Sequence, residues 1–282
     1  MKIIPTIRRA PQGFARRIGA AGLGIALAAT LMLPGTSLAA PRLAPQDSPC
    51  PQPVTVQCVI TFGNGEIAKR IASLNTLSGK ATAQLNANHI NSTQAGVITG
   101  DVSTNESGLQ ALQTKLDAET TLAAARADVL SIYTQFRVYI VVLPRDYHEI
   151  WLDILTNVQV TMAGKATTIQ NAINAVSALK DNDNDGDIAT LDAAFSDYQA
   201  QLGAATGQIN IANGLLPEFT PQNYDANPGG YKGDWTTFHG DIKAAHSDIL
   251  AAAADLHKIA KVLKELINEQ HLAPGATDTN EP

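Results

Sequence analysis

The chain has 282 residues with 20 basic and 26 acidic side chains, a net charge of −6, two cysteines and only 5% aromatic residues. An acidic balance argues against nucleic acid or an anionic membrane as partner, since both require a basic face. Abundant alanine with few aromatics favours closely packed helices over a sheet with a thick aromatic core.

Residues 1–39 have the three-part order of an export signal. Lys2, Arg8, Arg9, Arg16 and Arg17 come first with no acid among them, then an apolar run from Ile18 to Leu33, then Ser37-Leu38-Ala39. The run is interrupted by Gly19, Gly22, Gly24 and Thr30 and falls short of the roughly 20 apolar residues a spanning helix needs, so no transmembrane segment is expected after cleavage. Neither arginine pair is followed by the strongly apolar residues of a twin-arginine signal, which makes Sec the expected route. Removing five basic residues leaves 15 basic against 26 acidic, a net charge of −11, on a secreted or otherwise extracytoplasmic protein of the periplasm or cell envelope.

Residues 40–65 form a Pro-rich leader. It holds Cys50 and Cys58, which an oxidising compartment should pair into a small disulfide loop. Val54 to Phe62 is β-branched and suggests a short strand, and Asn64 or Gly65 can start the first helix, with Ile67, Ile71, Leu74, Leu77 or Ser78, Ala81 and Leu85 on one face. A second helix is expected from Ser92 to Asp117 and a third from Thr121 to Tyr139. The run Val138 to Leu143 reads as a buried segment or short strand ending at Pro144.

Three long helices follow, and their spacing is the strongest architectural signal. Arg145 to Leu179 carries Leu155, Val158, Met162, Ile169, Ile173 and Val176. Thr190 to Leu216 carries Leu191, Phe195, Tyr198, Leu202, Ala205, Ile209, Ala212 and Leu216, and Trp235 to Glu269 carries Phe238, Ile242, Ala245, Ile249, Ala252, Leu256, Ile259, Leu263 and Leu266. Alternating steps of four and three predict antiparallel coiled-coil packing. The expected fold is therefore all-α, an elongated antiparallel bundle of coiled-coil hairpins with a short disulfide-bearing N-terminal segment. Its divisions are a signal (1–39), the leader (40–65), an N-terminal helical region (66–143), a long three-helix region (144–272) and a disordered tail (273–282). Between the last two helices, Pro217 to Gly233 is too rich in proline and glycine to read as helix. It holds Phe219, Tyr224 and Tyr231, with Trp235 just beyond, as either a ligand loop or a cap on the bundle.

Asp181-Asn-Asp183-Asn-Asp185-Gly186-Asp187-Ile188-Ala189-Thr190-Leu191-Asp192 follows the order of a calcium loop: oxygen side chains at positions 1, 3 and 5, glycine at 6, an apolar residue at 8 and a carboxylate at 12. The segment resembles the loops of the EF-hand superfamily, and its aspartate at position 12 is closer to dockerin modules than to calmodulin-like sensors. The resemblance covers about twelve residues in a single copy. It implies Ca²⁺ held by the side chains of Asp181, Asp183, Asp185 and Asp192, by the Asp187 carbonyl and by a water facing Ala189, with Mg²⁺ as a competitor.

The remaining polar clusters read as structural. Asp146 to Asp153 contains His148-Glu149, the first half of His-Glu-x-x-His, but the second histidine is missing, and acids at a helix start suit its dipole. His239, His246 and His257 lie near one stripe, but the first two would be about 10.5 Å apart along the axis, too far for one ion. Asp241, Asp248 and Asp255 read as a wet face. The chain is also similar to uncharacterised secreted bacterial helical proteins in its Ile67 to Arg70 helix start, its Phe136 to Tyr139 segment and its Pro144-Arg145 pair; that similarity implies export and helicity only. The expected function is a calcium-stabilised, non-enzymatic structural or interaction module whose partner is a protein or envelope component. The alternative is a small-ligand or glycan module using residues 219–235, and a hydrolase comes third.

Overall fold

The computed structural model describes residues 50–178 and 185–272, which are helical with no strand among them. The chain divides into two compact units, each discontinuous in sequence. The larger takes in residues 50–161 and 202–249 of the described chain, the smaller 162–178, 185–201 and 250–272.

In the larger unit, helix α1 (Val56–Asn86) starts earlier than expected, and the segment proposed as a strand forms its first turns. The Thr55 side chain accepts a bond from the Cys58 amide at 3.2 Å, and Val59 and Ile60 are buried, so capping and burial override β-propensity. Cys50 and Cys58 are disulfide-bonded with Cα atoms 5.7 Å apart, tying the segment before α1 to its first turn. Helix α2 (Ser92–Asp117) has the expected bounds. Asn91 caps it with a reciprocal bond to Gln94, and Asn88 supplies the left-handed residue of the preceding turn at φ 57°.

α1 and α2 run antiparallel, with Asn64 near the start of one donating to Asp117 at the end of the other at 2.6 Å. Buried positions on α1 alternate by three and four, Ile60, Gly63, Ile67, Arg70, Leu74, Leu77 and Ala81, and those on α2 keep the rhythm with one step of seven, Ala95, Ile98, Val102, Leu109, Leu112 and Leu116. Arg70 occupies the core position expected for Ile71. Helix α3 (Leu122–Thr134) closes on both partners through Lys115–Asp128 and through the Tyr133 hydroxyl, which donates to Glu66 at 3.2 Å. At Gly63 the approach is so close that a Cβ would lie 2.5 Å from Leu116 and 2.7 Å from Val129.

After α3 the chain passes through Arg137 at φ 39° into one π-helical turn, Val138–Val142, and then directly into helix α4 (Leu143–Ala163). Pro144 offers no N–H to the carbonyl of Ile140 and its ring crowds that carbonyl, which is a physical reason for a widened turn. Val138, Val141 and Val142 are buried while Tyr139 and Ile140 face outward. α4 lies antiparallel to α2: Gln94 bonds Asp153 at 3.0 Å, Asn157 bonds the His89 carbonyl at 3.0 Å, and Arg145 pairs with Asp101. Residues 202–215 of helix α6 (Asp185–Leu215) also touch α4, where Gln159 donates to Thr206 at 2.7 Å.

The stretch 217–233 is a correction to the sequence reading. A 3₁₀ turn (Leu216–Glu218) leads into the short helix α7 (Pro221–Ala226), and helix α8 (Pro228–Leu272) then starts with its glycines inside the first turns. Pro221 and Pro228 each stand at the first helical position, where the absent N–H is not needed, so proline density here marks helix starts.

In the smaller unit the expected helix from Arg145 to Leu179 is interrupted. α4 ends at Ala163, and after Gly164-Lys165 helix α5 (Ala166–Ser177) begins. Met162, Ile169, Ile173 and Val176 are buried, as are Leu191, Phe195 and Tyr198 of α6 and Ala252, Leu256, Ile259, Leu263 and Leu266 of α8, all at their expected positions. The Tyr198 hydroxyl donates to the Met162 carbonyl, closing off the end of α4.

Candidate functional site

The densest chemistry lies in the larger unit, around the π turn and the first turns of α4. Three arginines surround it. Arg70 is sandwiched between the rings of Tyr133 (4.6 Å) and Tyr139 (4.9 Å) and bonds the Glu66 carboxylate at 2.8 Å. Arg137 stacks on Tyr224 at 4.5 Å and pairs with Asp225 of α7. Arg145 joins Asp146 at 2.6 Å to Asp101 of α2. Ile67 to Arg70 and Phe136 to Tyr139, far apart in sequence, thus meet where Arg70 lies over the Tyr139 ring.

On α4, Asp146, Glu149 and Asp153 follow intervals of three and four and line the seam with α2. Burial pushes all three carboxyls up, Glu149 to about 7 and Asp146 and Asp153 each to about 6. Asp146 and Asp101 near Glu149 add to the rise there, while Arg145 opposes it. Glu66, in contrast, is held below its usual range, because hydrogen bonds from Lys69 and Arg70 outweigh the effect of burial.

His148 faces the other way, into an aromatic cluster with Trp235 (5.0 Å between centroids), Phe238 (6.0 Å) and His239 (5.4 Å) of α8. Its Nδ1 lies 2.8 Å from the Pro144 carbonyl, and burial lowers its pKa. Helical spacing along one segment could not have paired His148 with His239, because they reside on different helices.

The residues proposed for a ligand loop are drawn together in the same cluster. Phe219 is fully buried and meets Tyr231 at 5.3 Å, Trp235 at 5.0 Å and Phe238 at 5.0 Å. Tyr231 is buried and meets Tyr224 at 5.1 Å, whereas Tyr224 and Trp235 stay half-exposed. Phe219 and Tyr231 are therefore engaged mainly in packing within the cluster. A small surface pocket nevertheless opens beside them, lined by Glu218, Asn223, Asn227, Tyr231 and Asp234 among others.

Of the calcium loop, Asp181 and Asp183 lie outside the described residues. Asp185 starts α6, and Gly186 to Asp192 form its first turns, where Asp187, Ala189 and Asp192 are exposed and Thr190 donates to the Gly186 carbonyl at 2.8 Å. The signal at 1–39 and the tail from Pro274 are likewise outside the described residues. Among the described residues no group of three or more His, Cys, Asp or Glu is placed to hold a metal ion, and no helix is long and apolar enough to cross a membrane. Asp241 and Asp248, expected on a wet face, are half-buried, each with one oxygen shielded and without a protein partner.

No family model, curated protein or solved structure matches the chain.

Proposed function

We propose that the protein is a non-enzymatic helical interaction or spacer module working outside the cytoplasm. The observation that carries this reading is how the groups best suited to chemistry are engaged. Asp153 is bonded to Gln94, Arg145 to Asp101 and Asp146, Arg137 to Asp225, and His148 to a backbone carbonyl, so each joins one segment to another or is shut within the fold. The Cys50–Cys58 disulfide supports an oxidising compartment. Expression of the full chain followed by cell fractionation and N-terminal sequencing tests export: a mature end near Ala40 with oxidised cysteines is expected, and an intact cytoplasmic chain with free thiols rejects it.

We propose further that calcium staples the segment 181–192. Asp181, Asp183, Asp185 and Asp192, if gathered around one point, would repel each other, and a divalent cation would remove that repulsion. Residues 185–192 are helical in this structure, so wrapping a twelve-residue loop around an ion requires the first turns of α6 to unwind. That cost points to an affinity of about 10⁻⁴ to 10⁻³ M, the range of extracellular modules, and calcium at ten times the dissociation constant would then add about 1.4 kcal/mol of stability. Thermal unfolding with chelator or millimolar calcium is the test. A gain in the wild type that Asp181→Ala loses is expected, and no gain, or an equal gain in the variant, rejects the site.

The pocket beside Tyr231 favours a second reading, a module for a small polar ligand or glycan. Its carboxylates and amides offer acceptors and donors, and the half-exposed Trp235 and Tyr224 offer stacking surface. Calorimetric titration of oligosaccharides into wild type and Trp235→Ala separates the readings: binding that the variant loses at unchanged helicity selects the ligand module.

A further inference from the structure

The seam between α2 and α4 has an unbalanced charge. Asp146, Glu149 and Asp153 come from α4 and Asp101 from α2, while the cation among the described residues facing them is Arg145. Its Nε and Nη2 are both taken, by Asp146 and Asp101. Lys80 of α1 lies over the ring of Tyr147, 5.0 Å from its centroid, and no interaction joins it to these acids. Tyr231 is the group that reaches toward Arg145 from α8, and it is a neutral phenol whose ionisation burial pushes up to about 12. His148 looks into the aromatic cluster, and burial favours its neutral form, so it adds no compensating charge.

Two carboxylates in the seam are also short of partners. Asp146 is fully buried, with Oδ1 held by Arg145 and Oδ2 shielded with no protein partner. Asp153 accepts from Gln94 through Oδ1, and its Oδ2 is likewise shielded and unpartnered. A buried anion without a partner is costly, and the smallest occupant that removes the cost is a proton, which also turns an idle acceptor into a donor.

We propose that the α2–α4 seam is a proton-operated latch: protons bound in a mildly acidic medium neutralise it and tighten α4 on α2, and their loss toward alkaline pH loosens the contact. The sign follows from linkage. Glu149, at about 7 against an ordinary 4.5, and Asp146 and Asp153, at about 6 against 3.8, hold protons more tightly folded than unfolded. Their contribution is complete below the unfolded values and is lost as pH rises through about 6 to 7. Glu66 and His148 have the opposite sign: the Glu66 window lies below 4.5 and does not overlap, while His148, kept neutral by burial, subtracts part of the gain as pH falls below its ordinary 6.5, one group against three. The three carboxyls titrate as a coupled set, so the latch belongs to the seam as a whole.

The test is thermal unfolding of the mature protein at about pH 5.5 and about pH 8 in physiological salt. We expect Tm to be higher at the acidic pH by about 5 °C for a chain of this size. Glu149→Gln should raise Tm at about pH 8 and remove half or more of the difference, and Asp153→Asn should remove a smaller part. A wild-type Tm that is flat or rises toward alkaline pH overturns the latch, as does a pH dependence left intact in both variants. Should the variants fail to fold, carbon-detected NMR of the wild-type carboxyls decides: a seam carboxyl titrating near 7 supports the proposal, and midpoints all below about 5 overturn it.

Discussion

Two seams of the larger unit solve the same packing problem with opposite charge accounts. Where α1 meets α3, Glu66 faces both Lys69 and Arg70, and the Arg70 guanidinium lies between two tyrosine rings. Where α2 meets α4, four carboxylates share Arg145. Glu66, the less deeply buried of the two and bonded by two cations, stays below its ordinary pKa, whereas the more deeply buried Glu149, crowded by acids, is pushed far above it. The charge of an acid in a helix seam is decided by the balance between its burial and the cations within reach: Asp146 is raised in spite of its bond to Arg145 because it is fully buried.

Breaking the balanced seam should give the largest effect. Arg70→Ala removes a buried cation from between Tyr133 and Tyr139 and leaves the Tyr133 hydroxyl and the Glu66 carboxylate around a cavity. Removing one partner of a buried pair costs about 3 kcal/mol or more. Urea unfolding monitored by circular dichroism measures it, and a loss under about 1 kcal/mol would mean that the sandwich contributes little. Wild-type Glu66 has a depressed pKa, so its stabilisation is present above its unfolded value and fades as pH falls through the folded one; Arg70→Ala should flatten that acid limb.

The same seam can be probed by steric means. Gly63 is the point where α1 meets both Leu116 and Val129, and an added methyl must displace one of them. Gly63→Ala gains helix propensity of roughly 1 kcal/mol yet overpacks by about 1 to 3 kcal/mol, so a net loss of about 1 kcal/mol is expected. Gly65→Ala, with open space around the new methyl, is the control and should stabilise. Equal effects at the two glycines would show that the close approach is not a constraint.

These residues also mark what could be read from the sequence. The α6 and α8 positions Leu191 to Ala212 and Phe238 to Leu266 were legible because apolar side chains alone fill the three-four rhythm, and all of them are buried. Arg70 was not legible, because arginine reads as solvent-facing until Tyr133 and Tyr139, more than sixty residues away, are placed over it. The first turns of α1 read as a strand because β-branched residues dominate them, and the Thr55 cap shows only once its side chain meets the Cys58 amide. In 217–233, prolines that begin helices resemble prolines that break them. The acids of Asp146 to Asp153 were visible as a cluster, but pairing them with Asp101 and Gln94 required the antiparallel docking of α2 on α4.

The smallest effect, and one whose sign carries information, is expected at Tyr231, on the α8 side of the unbalanced seam. Its ring packs against Phe219 and Tyr224 edge-on and stacks with Trp235, all contacts that phenylalanine would keep. Its hydroxyl is buried and has no protein partner, so the folded state carries a desolvated dipole with no bond to offset it. Removing such a group is neutral or stabilising, in contrast to removing a bonded one, which costs about 1 kcal/mol. Tyr231→Phe should therefore raise stability by up to about 1 kcal/mol at neutral pH. Arg145 acts on this hydroxyl from across the seam, and losing the phenol removes no charge, so the gain should be the same at about pH 5.5 and about pH 8. A loss of 1 kcal/mol or more would instead show that the hydroxyl makes a bond within the acidic seam. In that case Arg145 and its acids hold one neutral partner more than the carboxylate count implies, and the contrast between the two seams narrows by that bond.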